Sequence, residues 1–474
     1  MKKYDLIVIG GGAGGLTVAS GAASLGAQVA LVEKNSSLGG DCLHYGCVPS
    51  KSLIAAANEV YHSRKLPDFG FHVTGSVDMK KVKERVKGAV AHIQEHDSTE
   101  RFENMGVDVF FGAASFEDAH TVTIGNQEKI AGKRIIIATG SRPVIPNFPG
   151  LKEAGFETNE TIFDREELPE TMIFIGGGPI GLEIAQAYSR LGTKTIVLER
   201  SEAVLGKEDE EIQQLAIEFL SKEIDIRTEV EVKEVKVDGK NKIVLYEKNG
   251  KIEEVIGDAL FLGVGRKPNT DTLNLEKIGV EVNERGHIVV NDRLQSSVPH
   301  IYGIGDINGA FPFTHGAGME GKLIVQNAVL GLRRKVSYDT LPWTTYTSPE
   351  IFHVGKTEKE ARESEDEISV YQNGLEEVDR FVADANVTGT VKIITNKRGK
   401  ILGAHAVGKG AGDWMQTVIF AMEKGAKIGE LSTMIYPYPN HAAAIQRTAD
   451  QYWREKLFDG MLPKITKKYI QWFR

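Results

Sequence analysis

At 474 residues the chain is too long for one hydrophobic core, and ordinary domain sizes predict about three. Its apolar fraction of 41% and charged fraction of 26% are those of a globular protein and exclude disordered and fibrous classes. A net charge of −8 offers no attraction to nucleic acid or an anionic membrane, and no apolar run reaches the ~20 residues that cross a bilayer.

In chain order, Met1-Lys-Lys3 followed by Leu6–Ile9 has the charge and apolarity of a signal peptide, but it runs into Gly10-Gly-Gly12 instead of a cleavage site. A buried strand over residues 4–10 is the better reading, and the cytoplasm is the expected location. The strand ends in Gly10, Gly12 and Gly15, a small-residue helix follows from Leu16 to Leu25, and a second strand, 28–33, closes on Glu33. The pattern returns at 171–175, with Gly176, Gly178 and Gly181, a helix to Leu191 and a strand closing on Glu199. Each block reads as a βαβ unit. Its glycines let a pyrophosphate approach the backbone at a helix N-terminus, and its terminal acid suits ribose hydroxyls. Two blocks imply two different dinucleotides.

The chain has two cysteines, Cys42 and Cys47. A pair this close in a reducing compartment points to redox or metal chemistry. With no second cysteine pair, and only His44 between them, zinc is not expected, and no metal site is read from the sequence. The pair follows directly on Glu33, so the thiols lie near the first nucleotide. A thiol pair that conducts electrons needs a two-electron carrier beside it, which assigns FAD to the first block and NADH or NADPH to the second. An undistorted helix would hold the two Cα atoms roughly 8 Å apart. A disulfide prefers about 5.5–6 Å, so bridging needs local distortion, which Gly46 can supply.

These features resemble the pyridine nucleotide–disulfide oxidoreductases, which include dihydrolipoamide dehydrogenase, glutathione reductase and mercuric reductase. The resemblance runs from Tyr4 to about Ile435. It rests on Cys42-x4-Cys47-Val-Pro-Ser-Lys51, Ile135–Gly140 with Ser141-Arg-Pro143, Gly263-Val-Gly-Arg-Lys-Pro268, Pro299–Asp306, Thr345–Glu350 with Val354-Gly355, and Ile401–Gly408. It implies an α/β fold with two Rossmann-like dinucleotide-binding domains and an α+β interface domain that pairs two subunits. The boundaries would be 1–150 with 265–335 for FAD, 151–264 for NAD(P), 336–445 for the interface, and 446–474 for a basic, aromatic tail. By the same resemblance, Cys47 faces the flavin, Cys42 exchanges with substrate, and Lys51 pairs with Glu183 beside the flavin ring. Further cofactor contacts are Gly40, Ala113, Thr139, Gly140, Gly265, Asp306 and His315. Glu199 favours NADH over NADPH, although Arg200 follows it.

The chain also departs from that pattern. Reductases of disulfide substrates carry His-x-His-Pro-Thr-x-x-Glu near the C-terminus, whereas this chain has Tyr438 at the catalytic histidine and Ala443 at the glutamate. A phenol titrating near pH 10 is a poor proton shuttle at neutral pH, and His441, three positions on, could substitute only if the chain rearranged. Mercuric reductases share the tyrosine, but neither their C-terminal cysteine pair nor their N-terminal metal-capture domain is expected here. The expected function is therefore NAD(P)H-driven electron transfer through flavin and Cys42/Cys47 to a metal ion or other thiophilic acceptor. One alternative is a quinone or diaphorase-type reductase whose electrons leave from flavin directly. The other is a dihydrolipoamide dehydrogenase-like subunit of a larger complex. In the tail, Tyr452, Trp453, Phe458, Tyr469, Trp472 and Phe473 alternate with Arg454, Lys456, Lys464, Lys467, Lys468 and Arg474. This reads as an arm packed on the chain's own dimer, with contact to a membrane surface as the weaker alternative.

Overall fold

The computed structural model describes residues 1–125, 128–458 and 462–473. They form two compact units, one of residues 1–198 and 231–338, the other of residues 199–230 and from 339 onward.

The first unit is α/β. Its main sheet places the strands Val107–Phe111, Val29–Glu33, Lys2–Ile9 and Glu128–Ile137 side by side and parallel. The strand Ile301–Gly303 adds in parallel to the last of them. Central parallel strands are covered on both faces, so their sequences are continuously apolar. Leu6, Ile7, Val8, Val29 to Val32 and Ile135 to Ile137 are accordingly all buried. A second parallel arrangement joins Lys194–Leu198, Thr171–Ile175 and Ala259–Leu262. Each sheet launches a helix directly from its glycine-rich turn, Ala13–Ser24 in the first and Pro179–Leu191 in the second.

The second unit is α+β. The strands Pro342–Thr345, Glu350–Gly355, Ile401–Gly408, Thr390–Asn396 and Ile368–Gly374 form one antiparallel sheet in that order. Phe352, Val391, Ile393 and Ala404 pack with Phe381 and with Ala444, Ile445 and Ala449 of the helix Ala443–Phe458. A last helix, Leu462–Trp472, carries exposed Ile465, Tyr469, Ile470 and Trp472. Of the basic residues read in the tail, Arg474 and the Lys464 side chain lie outside the described residues. Among the described residues no helix is long and apolar enough to cross a membrane.

Candidate functional site

The two glycine motifs divide their work in the same way. Gly10 and Gly176 sit at φ +111° and +106°, where a Cβ would lie 2.3 Å from the Ala138 carbonyl oxygen and 2.5 Å from that of Gly263. They allow the sharp turn out of the strand. A Cβ on Gly15 or Gly181 would meet the carbonyl oxygen of Gly10 or Gly176 at 1.9 or 2.3 Å, so these two let the helix close on the turn. The middle glycines differ. Among the described residues, a Cβ on Gly12 meets nothing nearer than 3.8 Å, and one on Gly178 meets nothing within 4 Å. Each is the N-cap of its helix, with no side-chain cap on the first-turn N–H groups. Open space over uncapped helix donors fits a pyrophosphate. FAD in the first cradle and a nicotinamide nucleotide in the second both match that donor set.

Glu33 is buried at the end of its strand, and its carboxylate accepts from Gly11 N (2.7 Å) and Asn35 N (2.9 Å). Gly40, at φ +61°, has its missing Cβ only 2.7 Å from Gly12 Cα, which draws the cysteine segment against the first cradle. Glu199 directly follows its strand, and its carboxylate accepts from Ser201 N at 2.7 Å.

Between the cysteines the helix breaks. One helix ends at His44, the next begins at Cys47, and Gly46 between them has φ −123° and ψ −115°. A Cβ there would stand 3.0 Å from the Asp41 carbonyl oxygen and 3.2 Å from Cys42 Cα, so glycine permits the approach of the two residues. No disulfide joins the two cysteines. They titrate as a pair of opposite character. The hydrogen bond from Cys42 lowers Cys47 to about 6, against the opposing effect of burial. The Thr314 hydroxyl, 3.3 Å from Cys47 Sγ, and the positive charge of Lys51 act in the same direction. The same thiol–thiolate bond, with burial, pushes Cys42 far up. The pair thus holds one thiolate and one thiol at neutral pH.

Lys51 Nζ stands 2.8 Å from Glu183 Oε2, with the carboxylate buried. The helix that opens at Cys47 and the helix behind the second glycine motif therefore bring together the two charges read from the sequence. Asp306 accepts from Ser141 Oγ, which itself accepts from Arg266 Nε at 2.7 Å. Arg266 reaches Asp41 at 3.1 Å, tying the cysteine segment to the turn that carries Asp306. The wholly buried Glu320 fixes that turn, accepting from Gly305 N (2.6 Å), from Asn308 and from Tyr338.

The remaining residues fall as follows. Thr139 Oγ1 donates to the Asn269 carbonyl at 2.9 Å, so its hydroxyl shapes the loop. Gly140 and Gly265 have positive φ and open space where a Cβ would be. Ala113 is exposed, and its carbonyl accepts from Gly125 N. His315 is exposed and stacks on Phe313 at 5.6 Å between centroids. Thr314, Ser141, Arg266 and Glu320 carried no assigned role in the sequence. Arg266 lay inside a recognised motif, but the Thr314 contact spans 267 residues and leaves no local signal.

In the second unit Tyr438 is 81% exposed, and its hydroxyl bonds to Asp379, which raises the phenol further above its ordinary range. His441 is committed elsewhere. Its Nε2 lies 2.9 Å from Asp384 Oδ2, and its ring packs on Phe381 with centroids 4.6 Å apart.

A family model described as pyridine nucleotide-disulphide oxidoreductase matches residues 4–321, and the model of that family's dimerisation domain matches residues 341–449. Mercuric reductase of Staphylococcus aureus is 32% identical over 94% of this chain and 82% of its own length. Dihydrolipoyl dehydrogenase of Bacillus subtilis is 33% identical over 92% and 94%. Among solved structures, the Cu(II) complex of the HOCl-induced flavoprotein disulfide reductase RclA from Escherichia coli superposes with a TM-score of 0.85. It is 27% identical and covers 95% of this chain and all of that one.

Proposed function

Because the chain belongs to the pyridine nucleotide-disulphide oxidoreductases, enzymes that use FAD and NAD(P)H, we propose that it is an NADH-driven reductase of a soft metal ion or another thiophilic acceptor, acting through Cys42 and Cys47. FAD, when bound, supplies the two-electron relay between nicotinamide and the thiol pair.

The observation that carries the reading is a poised thiolate–thiol pair in a chain whose acid–base histidine position holds an exposed, high-pKa tyrosine. Cys47 faces the flavin as thiolate, stabilised by the Cys42 thiol, the Thr314 hydroxyl and Lys51. Lys51 is held in place by Glu183. Cys42 is the exchanging sulfur. On meeting a soft cation it gives up its proton and becomes a second sulfur ligand. Closing the Cys42–Cys47 bond then releases two electrons, enough to take one Hg(II) to Hg(0) or two Cu(II) to Cu(I). A disulfide acceptor instead needs a proton delivered to its leaving sulfur, and a phenol held above its ordinary range delivers one poorly at neutral pH. The Cu(II) complex of the E. coli structural relative supports a metal acceptor.

Glu33 and Glu199 are assigned to the ribose hydroxyls of FAD and NADH, with Gly10, Gly12, Gly15 and Gly40 at the first pyrophosphate and Gly176, Gly178 and Gly181 at the second. Ala113, Thr139, Gly140, Gly265, Asp306 and His315 are assigned to the remaining cofactor surface. Residues 1–150 with 265–335 form the FAD domain, 151–264 the NAD(P) domain and 336–445 the interface of a cytoplasmic homodimer. The test is an acceptor panel under anaerobic NADH. Hg(II) offered as a thiol complex, or Cu(II) offered as an amino-acid chelate, should be reduced with kcat/KM at least about a hundredfold above lipoamide or glutathione disulfide, roughly 2.7 kcal/mol of transition-state preference. Equal rates on lipoamide would overturn the reading.

A further inference from the structure

The second unit contains a buried set of donors that the thiol chemistry does not use. Glu208, His353 and His405 are 5%, 1% and 0% exposed, and one donor atom from each lies within 4.8 Å of the others. His353 and His405 face each other directly across the antiparallel strands Glu350–Gly355 and Ile401–Gly408. Glu208 enters from the segment 199–230, which belongs to the same unit.

Hydrogen bonding fixes how the donors point. His353 Nε2 donates to the Gly355 carbonyl at 2.9 Å, and His405 Nε2 donates to the Lys356 carbonyl at 3.1 Å. A carbonyl only accepts, so both rings carry their proton on Nε2 and turn Nδ1 inward. His353 Nδ1 then meets Glu208 Oε2 at 3.0 Å, lone pair against lone pair, and this contact needs a cation between or upon the two atoms. A proton on His353 would satisfy that pair alone. It would leave His405 Nδ1, which is buried and has no hydrogen-bond partner among the described residues, unserved. A metal ion satisfies all three atoms. Donors held about 2.0–2.2 Å from an ion stand roughly 3.0–3.6 Å apart, which the His353–Glu208 contact already meets.

The surroundings are those of a ligand set. The two carbonyls orient the imidazoles, and Trp343 Nε1 donates to the other Glu208 oxygen at 2.6 Å while its ring stacks on His353 at 3.6 Å. The nearby positive charge of Lys392 is balanced by Asp209 and Glu358, each 2.8 Å away. We propose that Glu208, His353 and His405 supply three ligands, with a water as the fourth, to a borderline divalent ion, Zn(II) by preference, which staples the 199–230 segment to the interface sheet. Two imidazoles and one carboxylate are the donors such an ion takes. The sequence concealed the site because its ligands come from three separate stretches of chain without the close spacing of a zinc motif.

The thiols also bind such ions, so the test uses the flavin-loaded Cys42→Ser/Cys47→Ser protein. It is produced in Zn(II)-supplemented medium, washed with EDTA and assayed by elemental analysis. The site predicts about one Zn(II) per subunit, falling below about a tenth when His405→Gln is added. Where that variant loses flavin or folded circular dichroism, refolding the double-serine protein with Co(II) gives the second reading. Visible d–d bands without a sulfur-to-cobalt charge-transfer band support the site, and their absence overturns it. Zinc that survives both His405→Gln and His353→Gln, or no zinc in the flavin-loaded double-serine protein, equally overturns it.

Discussion

Cys47 is surrounded by groups that favour its charged form, and their ranking makes a testable series. Its folded-state value of about 6 lies below the ordinary 9.0, so the thiolate persists until the pH falls through about 6. Alkylation of the reduced protein by iodoacetamide, followed by mass spectrometry, should rise through about pH 6. Cys42→Ala should shift that profile upward most, because it removes the largest cause. Thr314→Val and Lys51→Met should shift it upward less. A profile centred near 9 in the wild type would contradict the arrangement. Glu199 supplies a second residue-scale prediction. Replacing it with alanine should reduce the kcat/KM preference for NADH over NADPH by roughly tenfold, about 1.4 kcal/mol, with flavin content unchanged.

The two strand–turn–helix elements should separate folding from binding. Gly15→Ala places a methyl group 1.9 Å from the Gly10 carbonyl oxygen, so it should yield protein without flavin and with a lowered melting temperature. Gly178→Ala meets no atom of the described residues within 4 Å. It should keep the fold and flavin while raising the KM for NADH roughly tenfold, since the added methyl group occupies the pyrophosphate's approach. Equal damage from both substitutions would remove the distinction between packing and cradle glycines. A third element, the Gly305–Asp306 turn, depends on Glu320. Glu320→Ala leaves buried donors unpaired and should cost about 1–3 kcal/mol, read as a lower denaturation midpoint.

At the scale of the whole molecule, legibility followed sequence distance. Both βαβ blocks, their glycines and the Cys42–Lys51 stretch are local patterns. The strand 171–175 and the helix end at Leu191 stand where the sequence pattern places them, and the other edges differ from it by a few residues at most. The break at Gly46 was legible because disulfide geometry is incompatible with an unbroken helix. Thr314 above Cys47, the Arg266–Asp41 tie and the Glu208–His353–His405 cluster were not legible, because each joins chain segments far apart in sequence and follows no periodicity. The Lys51–Glu183 pair, also distant in sequence, follows only from the family resemblance. The central claim concerns where electrons leave the molecule. The most direct measurement is anaerobic NADH oxidation with Hg(II) as a thiol complex or Cu(II) as an amino-acid chelate, comparing wild type with Cys42→Ser, while flavin bleaching is followed in the same cuvette. The account predicts that the variant's flavin still bleaches with NADH while metal-dependent turnover falls by roughly a hundredfold or more. Undiminished turnover in that variant would place the exit at the flavin and contradict it.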